Sequence, residues 1–137
     1  GKSIYVENKE VFMPKSTLRV LLVENEKDHV YLIQCFCSMW EINILLDVAM
    51  DDVEAKVKIK GNEYDVVLMD VRLGIVDGRE LTQHIRREIM VETPIIAVTA
   101  YASSEDRLKC LESGMNDYMS KPVDHEGLKE KILEWVR

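Results

Sequence analysis

From residue 18 onward, short runs of apolar residues alternate with segments in which apolar residues recur every three or four positions. A short run that is apolar throughout predicts a strand covered on both faces. Recurrence at three or four positions predicts a helix with one apolar face. The five strands predicted in this way cover 18–23, 42–48, 65–69, 94–98 and 117–120.

A helix is predicted after each of these strands. Pairs of polar residues with the spacing of an N-terminal helix cap are Asp51 with Glu54, Asp77 with Glu80, and Ser103 with Asp106. The residues predicted to face inward are Leu32, Cys35, Phe36 and Met39 in the first helix, Val53 and Val57 in the second, and Leu108 and Leu111 in the fourth.

Five strands that alternate with five helices predict an α/β fold, a three-layer, doubly wound (βα)5 parallel sheet with helices on both faces. We expect the strand order 2-1-3-4-5 of a flavodoxin-like fold, with a switch point between the first and third strands. Residues 1–17 fit none of these units and are interpreted as a linker or N-terminal extension. Residues 18–137 are predicted to form one domain.

Composition narrows the class of protein. The chain has 137 residues, 47% of them hydrophobic, and a net charge of −7, which is typical of one soluble domain. The acidic balance argues against direct nucleic-acid binding, which needs basic residues to neutralise phosphates. Because no run of 18 apolar residues is present, no membrane association is expected. Three cysteines without a CxxC spacing are typical of reduced thiols in a cytoplasmic protein.

Polar residues stand at the carboxyl ends of four predicted strands, where ligands bind in open parallel sheets. They are Glu24, Asn25 and Glu26 after the first strand, Asp70 after the third, Thr99 after the fourth and Lys121 after the fifth. A carboxylate can act as a nucleophile or metal ligand, a hydroxyl can donate a hydrogen bond, and an ammonium can hold an anion. Each residue alone is typical of a polar cap on a strand, but together they predict one reactive site.

Five short motifs lie at or near these strand ends. They are Leu-Leu-Val-Glu-Asn at 21–25, Val-Leu-Met-Asp at 67–70, Val-Asp-Gly at 76–78, Val-Thr-Ala at 98–100 and Ser-Lys-Pro at 120–122. In order and spacing they resemble the receiver domains of bacterial two-component response regulators, over residues 18–137. The resemblance implies a cytoplasmic phosphorelay module that accepts a phosphoryl group from a sensor histidine kinase or a histidine phosphotransfer protein. It implies a regulatory domain, not an enzyme, with only Mg²⁺-dependent self-phosphorylation and autodephosphorylation chemistry.

The resemblance implies a role for each matching position. Asp70 is implied to be the phosphoacceptor, Lys121 to pair with the phosphoryl oxygens, and Thr99 to hydrogen-bond the phosphoryl group. Tyr118 matches the aromatic switch of the family, and a cis peptide bond is implied between Lys121 and Pro122. The face built from the fourth helix, the fifth strand and the fifth helix is implied to report the switch and to form a homodimer.

The resemblance also implies a Mg²⁺ site formed by Glu24, Asn25, Asp70 and the backbone carbonyl of Arg72. The family usually ends its first strand with two acidic residues, but the second position here is Asn25. An amide oxygen carries no negative charge, whereas Mg²⁺ sites usually contain one or two carboxylates, so we expect weakened Mg²⁺ binding. The side chain of Glu26 is expected to leave the site at the start of the following helix.

Two interpretations of function stay open. The chain is either a phosphorylatable receiver with weakened metal binding or a degenerate receiver that acts as a protein-interaction module without phosphate. Retention of Asp70, Thr99 and Lys121 favours the first interpretation. An aspartyl-phosphate phosphohydrolase is disfavoured, because its second aspartate is replaced here by Arg72, which cannot transfer protons at neutral pH. A flavin or nucleotide binder is disfavoured because residues 24–26 are anionic and not a phosphate-binding loop.

Arg72 and Tyr101 lie two positions beyond Asp70 and Thr99, and the resemblance implies that these positions, which vary in the family, tune the lifetime of the phosphoryl group. Their bulk hinders in-line attack by water, so the phosphorylated R72A/Y101A double variant should lose its phosphoryl group faster than the unsubstituted chain. Autodephosphorylation rates measure the difference. Equal rates would indicate an arginine stacked on a surface tyrosine with no kinetic role.

Overall fold

The computed structural model describes residues 2–6, 9–13, 16–100 and 103–136. In these ranges the strands are β1 (Lys2–Val6), β2 (Lys9–Met13), β3 (Leu18–Val23), β4 (Ile44–Ala49), β5 (Val66–Asp70), β6 (Arg72–Leu73), β7 (Val76–Asp77), β8 (Ile95–Thr99) and β9 (Asp117–Ser120). The α-helices are α1 (Lys27–Met39), α2 (Asp52–Gly61), α3 (Gly78–His84), α4 (Ser104–Glu112) and α5 (His125–Trp135), and a π-helical turn at Ile85–Ile89 continues α3. None of these described helices is both long and apolar enough to cross a membrane.

Five of the strands form one parallel sheet in the order β4-β3-β5-β8-β9. For the five predicted strands this is the order 2-1-3-4-5, so the predicted doubly wound fold is confirmed. The register places Val23 beside both Ala49 and Met69, and Asp70 beside Val98. The carboxyl ends of these strands therefore meet at one edge of the sheet, where the polar residues of the sequence motifs follow.

Alternate residues of the central strand β3 face opposite sides of the sheet, and each side has its own core. Val20 and Leu22 pack with buried side chains of α1 and α5, which include Val30, Ile33, Leu128 and Ile132. Leu21 and Val23 pack with buried side chains of α2, α3 and α4, which include Ala55, Ile59, Leu81 and Cys110. Both faces of the sheet are thus covered by helices, which explains why its central strands β3, β5 and β8 are largely apolar.

The inward face predicted for α1 is correct only in part, because Phe36 packs against the core but the most buried residues of the helix are others. Val30 and Ile33 are the buried residues of this helix, whereas Met39 is 62% exposed. Apolar residues occur on most sides of α1, so two overlapping stripes satisfy the helical period. The direction in which the chain leaves β3 selects between these stripes.

The inward faces predicted for α2 and α4 are also wrong. Helix α2 buries Ala55 and Ile59 and exposes Val53 and Val57. A small alanine on the inner face lets the helix approach the sheet closely. Helix α4 buries Cys110, while Leu108 and Leu111, the residues predicted to face inward, are exposed.

The predicted N-terminal caps of α2 and α4 are confirmed, and the predicted cap of α3 differs in its hydrogen-bond partner. The side chains of Asp51 and Ser103 each accept a hydrogen bond from the backbone N–H three residues later. Asp77 also begins its helix, but it accepts from the N–H of Arg79, two residues later. Side-chain caps of this kind satisfy backbone donors that the first helical turn leaves unpaired.

The segment 1–17, interpreted as a linker or extension, contains β1 and β2. These strands pair antiparallel, with Ile4 opposite Val11. The assignment of 1–17 as an extension and of 18–137 as the domain stays a prediction.

Helix α5 is attached to the sheet through Asp117, the first residue of β9. The Asp117 carboxylate accepts hydrogen bonds from Lys131 Nζ at 2.8 and 2.9 Å and from Trp135 Nε1 at 2.7 Å. Partial burial alone would raise the pKa of Asp117, but hydrogen bonds from Lys131, Trp135 and the Tyr118 N–H hold this pKa below its ordinary value. The carboxylate therefore stabilises the folded state in its ionised form.

We predict that Asp117→Asn lowers the free energy of unfolding by about 1–2 kcal/mol at neutral pH, because it removes the negative charge that accepts hydrogen bonds from Lys131, Trp135 and the Tyr118 N–H. A carboxyl with a lowered folded-state pKa contributes stability above its unfolded pKa and loses that contribution as the pH falls through the folded pKa. The difference from the unsubstituted chain should therefore shrink as the pH falls.

Urea denaturation followed by circular dichroism at a series of pH values checks this prediction. Glu134→Gln, an exposed position on the same helix, is the matched control and should leave the stability unchanged at neutral pH. A difference between Asp117→Asn and the unsubstituted chain that does not vary with pH would contradict the prediction.

Candidate functional site

The carboxyl edge of the sheet brings together four residues that the sequence predicted to form a site. Glu24 follows β3, Asp70 ends β5, Thr99 ends β8 and Lys121 follows β9. Glu24, Asp70 and Thr99 are buried, and the Lys121 side chain is only 17% exposed. The strand order explains this convergence, because β3, β5 and β8 are neighbours and β9 adjoins β8.

The Lys121 ammonium connects the two buried carboxylates. Its Nζ atom lies 3.0 Å from Oε1 of Glu24 and 3.3 Å from Oδ2 of Asp70. Burial alone would lower the pKa of Lys121, but the hydrogen bonds and charges of Glu24 and Asp70 raise it above its ordinary value. Lys121 therefore stays charged at neutral pH and can bind an anionic group.

Glu24 is fully buried and accepts hydrogen bonds at both of its oxygens. His29 Nδ1 contacts Oε1, the oxygen that Lys121 also contacts, and the Glu26 N–H donates to Oε2 at 3.2 Å. Burial by itself favours the neutral acid, but hydrogen bonds from His29, Asp70 and Lys121 lower the pKa of Glu24. Glu24 is therefore the ionised member of the carboxylate pair.

Asp70 has the opposite electrostatic environment. Burial and the neighbouring Glu24 raise the pKa of Asp70 to about 7, against the opposing effects of Lys121 and the Arg72 N–H. That N–H donates to Oδ1 of Asp70 at 3.1 Å. A second cation beside Asp70 would favour its ionised form, so the site has the electrostatics of a cation-binding site.

Three carboxylates of the described residues could hold a metal ion together. Oxygen atoms of Glu24, Glu26 and Asp70 all lie within 4.8 Å of one another. Glu26 is the N-cap residue of α1, but its side chain makes no cap hydrogen bond. The expectation that Glu26 leaves the site is therefore wrong. Carboxylate oxygens are hard ligands, and this donor set fits Mg²⁺.

The other two predicted metal ligands lie in the same region. Asn25 is exposed, and its amide nitrogen lies 3.7 Å from the position that a Cβ atom on Gly74 would take. Gly74 is in the turn between β6 and β7, a short antiparallel pair after β5 that the sequence pattern did not predict. Arg72 lies in β6, with its side chain exposed.

The predicted switch residues lie on β8 and β9. Tyr118 is buried, and the guanidinium carbon of Arg107 in α4 lies 4.8 Å from the centroid of its ring. The Thr99 carbonyl oxygen accepts a hydrogen bond from the Lys121 N–H at 2.8 Å, and the Lys121–Pro122 peptide bond is cis. Tyr101, one of the two predicted tuning residues, lies outside the described residues.

Gly78 explains the Val-Asp-Gly motif at 76–78. A Cβ atom at this position would lie 2.2 Å from the carbonyl oxygen of Asp70, so only glycine fits. The Gly78 N–H donates to the Val71 carbonyl at 2.7 Å, which fixes the start of α3 against the end of β5. The motif therefore positions the backbone that carries the Asp70 carboxylate.

Two residues of the site were missed by the sequence interpretation. Glu26 was expected to point away, and His29 gave no signal because the three histidines have no metal-ligand spacing. A histidine five residues after a strand-end carboxylate can reach back to it only if the first turn of α1 is oriented correctly. That orientation is a tertiary property.

Sequence comparisons with known proteins agree with this geometry. The family model described as response regulator receiver domain matches residues 20–133. The autoinducer 2 sensor kinase/phosphatase LuxQ of Vibrio parahaemolyticus is 33% identical over 119 residues, which are 87% of this chain and 14% of that protein. The osmosensing histidine protein kinase SLN1 of Saccharomyces cerevisiae is 33% identical over 126 residues, which are 88% of this chain and 10% of that protein. The chain thus spans a small fraction of the length of these curated relatives.

Solved structures are similar as well. The receiver domain of the sensor histidine kinase PA1611 of Pseudomonas aeruginosa has a TM-score of 0.77 at 33% identity, with 88% of this chain and 98% of that chain covered. That structure has a magnesium ion coordinated in its active site cleft. The chemotaxis protein CheY4 of Vibrio cholerae has a TM-score of 0.78 at 22% identity, covers 87% of this chain and shares the fold.

Proposed function

The chain belongs to the response regulator receiver domain family, and on this premise we propose that it is a phosphorylatable receiver whose phosphoacceptor is Asp70. The family is regulatory and not enzymatic. The observation that carries the proposal is the contact of the Lys121 ammonium with both Glu24 and Asp70 at the carboxyl edge of the sheet. The similarity to sensor kinases favours a histidine kinase or a histidine phosphotransfer protein as phosphodonor. We propose that this transfer takes place in the cytoplasm.

The transfer step needs little covalent chemistry from the protein. A carboxylate oxygen of Asp70 attacks the phosphorus of a phosphohistidine, an O–P bond forms, and the N–P bond breaks. The electron pair of the N–P bond stays on the imidazole of the donor, which takes a proton from solvent. Catalysis then consists of positioning and charge neutralisation. The Arg72 N–H orients Asp70, the Lys121 ammonium neutralises phosphoryl oxygens, and the Thr99 hydroxyl hydrogen-bonds the group.

Mg²⁺ would be held by the carboxylates of Glu24, Glu26 and Asp70, together with the backbone carbonyl of Arg72. When bound, Mg²⁺ neutralises negative charge on the phosphoryl oxygens and on the carboxylates around them. Asn25 can contribute only a neutral oxygen. We propose that Glu26 restores the negative charge that Asn25 lacks, so that the site keeps an affinity for Mg²⁺.

A degenerate receiver that acts as a protein-interaction module is the second candidate. The substitution of an acidic metal ligand by Asn25 favours it. Under either function the switching face consists of α4, β9 and α5, which we propose also forms the homodimer. Leu108 and Leu111 on α4 are exposed, and Arg107 of the same helix contacts the ring of Tyr118.

We predict that incubation with acetyl phosphate and Mg²⁺ adds the mass of one phosphoryl group to the chain, and that Asp70→Asn abolishes this addition. Intact-mass spectrometry measures both. Asp124→Asn is the matched control, because asparagine caps a helix as well as aspartate and Asp124 is the N-cap of α5. If the unsubstituted chain and this control gain no mass, the degenerate receiver is the correct function.

We predict that Glu26→Gln weakens Mg²⁺ binding about tenfold, equivalent to about 1.4 kcal/mol, because it removes one negative charge from the ligand set. Asn25→Asp should strengthen binding, because it adds a carboxylate. Isothermal titration calorimetry with Mg²⁺ measures both affinities. Asp28→Asn, an exposed carboxylate in the first turn of α1, is the control and should bind Mg²⁺ as the unsubstituted chain does. An unchanged affinity in Glu26→Gln would remove Glu26 from the site.

A further inference from the structure

His29 lies in the first turn of α1 and is buried against the site. Its side chain is 10% exposed, and its Nδ1 atom contacts Oε1 of Glu24. Lys121 Nζ contacts the same oxygen at 3.0 Å. One oxygen of a buried carboxylate therefore has two donors, a lysine that the proposed transfer step uses and a histidine that this step does not involve.

The direction of the histidine hydrogen bond follows from the other groups that contact Glu24. The Lys121 ammonium lies 3.0 Å from Oε1 and the Glu26 N–H donates to Oε2, and because neither group can accept, the carboxylate is the acceptor at both oxygens. Nδ1 of His29 must then carry the hydrogen and donate it. The other ring nitrogen, Nε2, is buried and has no hydrogen-bond partner among the described residues.

The buried Nε2 atom argues against a role for His29 in packing alone. A buried polar atom without a partner is unfavourable, and an apolar side chain of similar size would fill the same space without this penalty. The single polar interaction of the ring that offsets the penalty is the one between Nδ1 and Glu24. The ring is therefore best explained by what it does for that carboxylate.

The arrival of a phosphoryl group changes the contacts of Lys121. Its ammonium now lies between Glu24 and Asp70, and it must turn toward the phosphoryl oxygens to neutralise them. Glu24 would then lose one of its hydrogen-bond donors while it remains fully buried. Bound Mg²⁺ would compensate the charge of Glu24, but a buried oxygen that loses its donor is destabilised, which opposes the movement of the lysine.

We propose that His29 is a positioning residue that keeps the Glu24 carboxylate hydrogen-bonded and oriented when Lys121 turns to the phosphoryl group. With His29 on Oε1 and the Glu26 N–H on Oε2, both oxygens keep a donor throughout the transfer. This inference rests on the proposed function, because it assigns His29 a role in phosphorylation at Asp70.

Two substitutions of His29 distinguish the effect of its hydrogen-bond donor from the effect of its side-chain volume. His29→Leu keeps apolar volume and removes the donor. His29→Asn keeps a donor, because the amide nitrogen of asparagine occupies about the same position as Nδ1 of histidine. His84→Leu, a half-buried histidine in the last turn of α3, is the control for the loss of a histidine elsewhere.

Two measurements are made at saturating Mg²⁺ on the full chain. The first is the affinity for beryllofluoride, a phosphoryl analogue that engages Lys121 without a covalent step. The second is the rate of phosphorylation by acetyl phosphate. We expect His29→Leu to lower both by roughly tenfold, and His29→Asn to restore both to within about threefold of the unsubstituted chain. A role in packing alone would move thermal stability and would not be rescued by asparagine.

If His29→Leu does not fold, His29→Gln replaces it in the comparison. Glutamine places its amide nitrogen near the position of Nε2 and not of Nδ1. We therefore expect His29→Gln to lower the beryllofluoride affinity and the phosphorylation rate as His29→Leu does. Equal beryllofluoride affinity in the unsubstituted chain and the variant without the donor would overturn the inference and leave the proposed function intact. Absence of phosphorylation in the unsubstituted chain would overturn the proposed function and this inference with it.

Discussion

The contact of one lysine with two buried carboxylates is the interaction on which the site depends. Glu24, Asp70 and Lys121 stand at the carboxyl ends of three different strands, and both carboxylates lie within 3.3 Å of the Lys121 ammonium. Burying charges is unfavourable unless every partner is present and correctly placed. The strand order and register supply that placement, so the site forms only when the strands pair in this order and register.

The same contact explains why the site remains suited to a cation although Asn25 is neutral. The negative charge is concentrated on Glu24, Asp70 and Glu26, whose oxygens lie within 4.8 Å of one another. Burial and the neighbouring Glu24 raise the pKa of Asp70 although Lys121 opposes this rise, so the site can accept a further cation. Under the proposed function, the carboxylate of Glu26 offsets the charge that Asn25 lacks.

Sequence reasoning succeeded for the strands and failed for several helix faces. Strands such as β5 and β8 are apolar throughout, and no alternative pattern competes with this signal. Helix α1 has apolar residues on several sides, so Met39 fits a helical stripe although it is exposed. Helix α4 buries Cys110 and leaves Leu108 and Leu111 exposed, because the two leucines lie on other sides of the helix than Cys110. The spacing of apolar residues predicts that a segment is a helix, but the contacts of the helix with the sheet decide which of its sides faces inward.

By itself, the sequence determined the alternation of strands and helices and the polar residues at the carboxyl ends of four strands. In a parallel sheet those residues must meet at one edge, so the predicted strand order was enough to predict that Asp70 and Lys121 lie close together. The tertiary structure alone decided that Glu26 and His29 join them. Both lie at the start of α1, and whether their side chains turn toward the site depends on the angle at which that helix leaves β3. That angle results from packing against the whole sheet, and no local pattern records it.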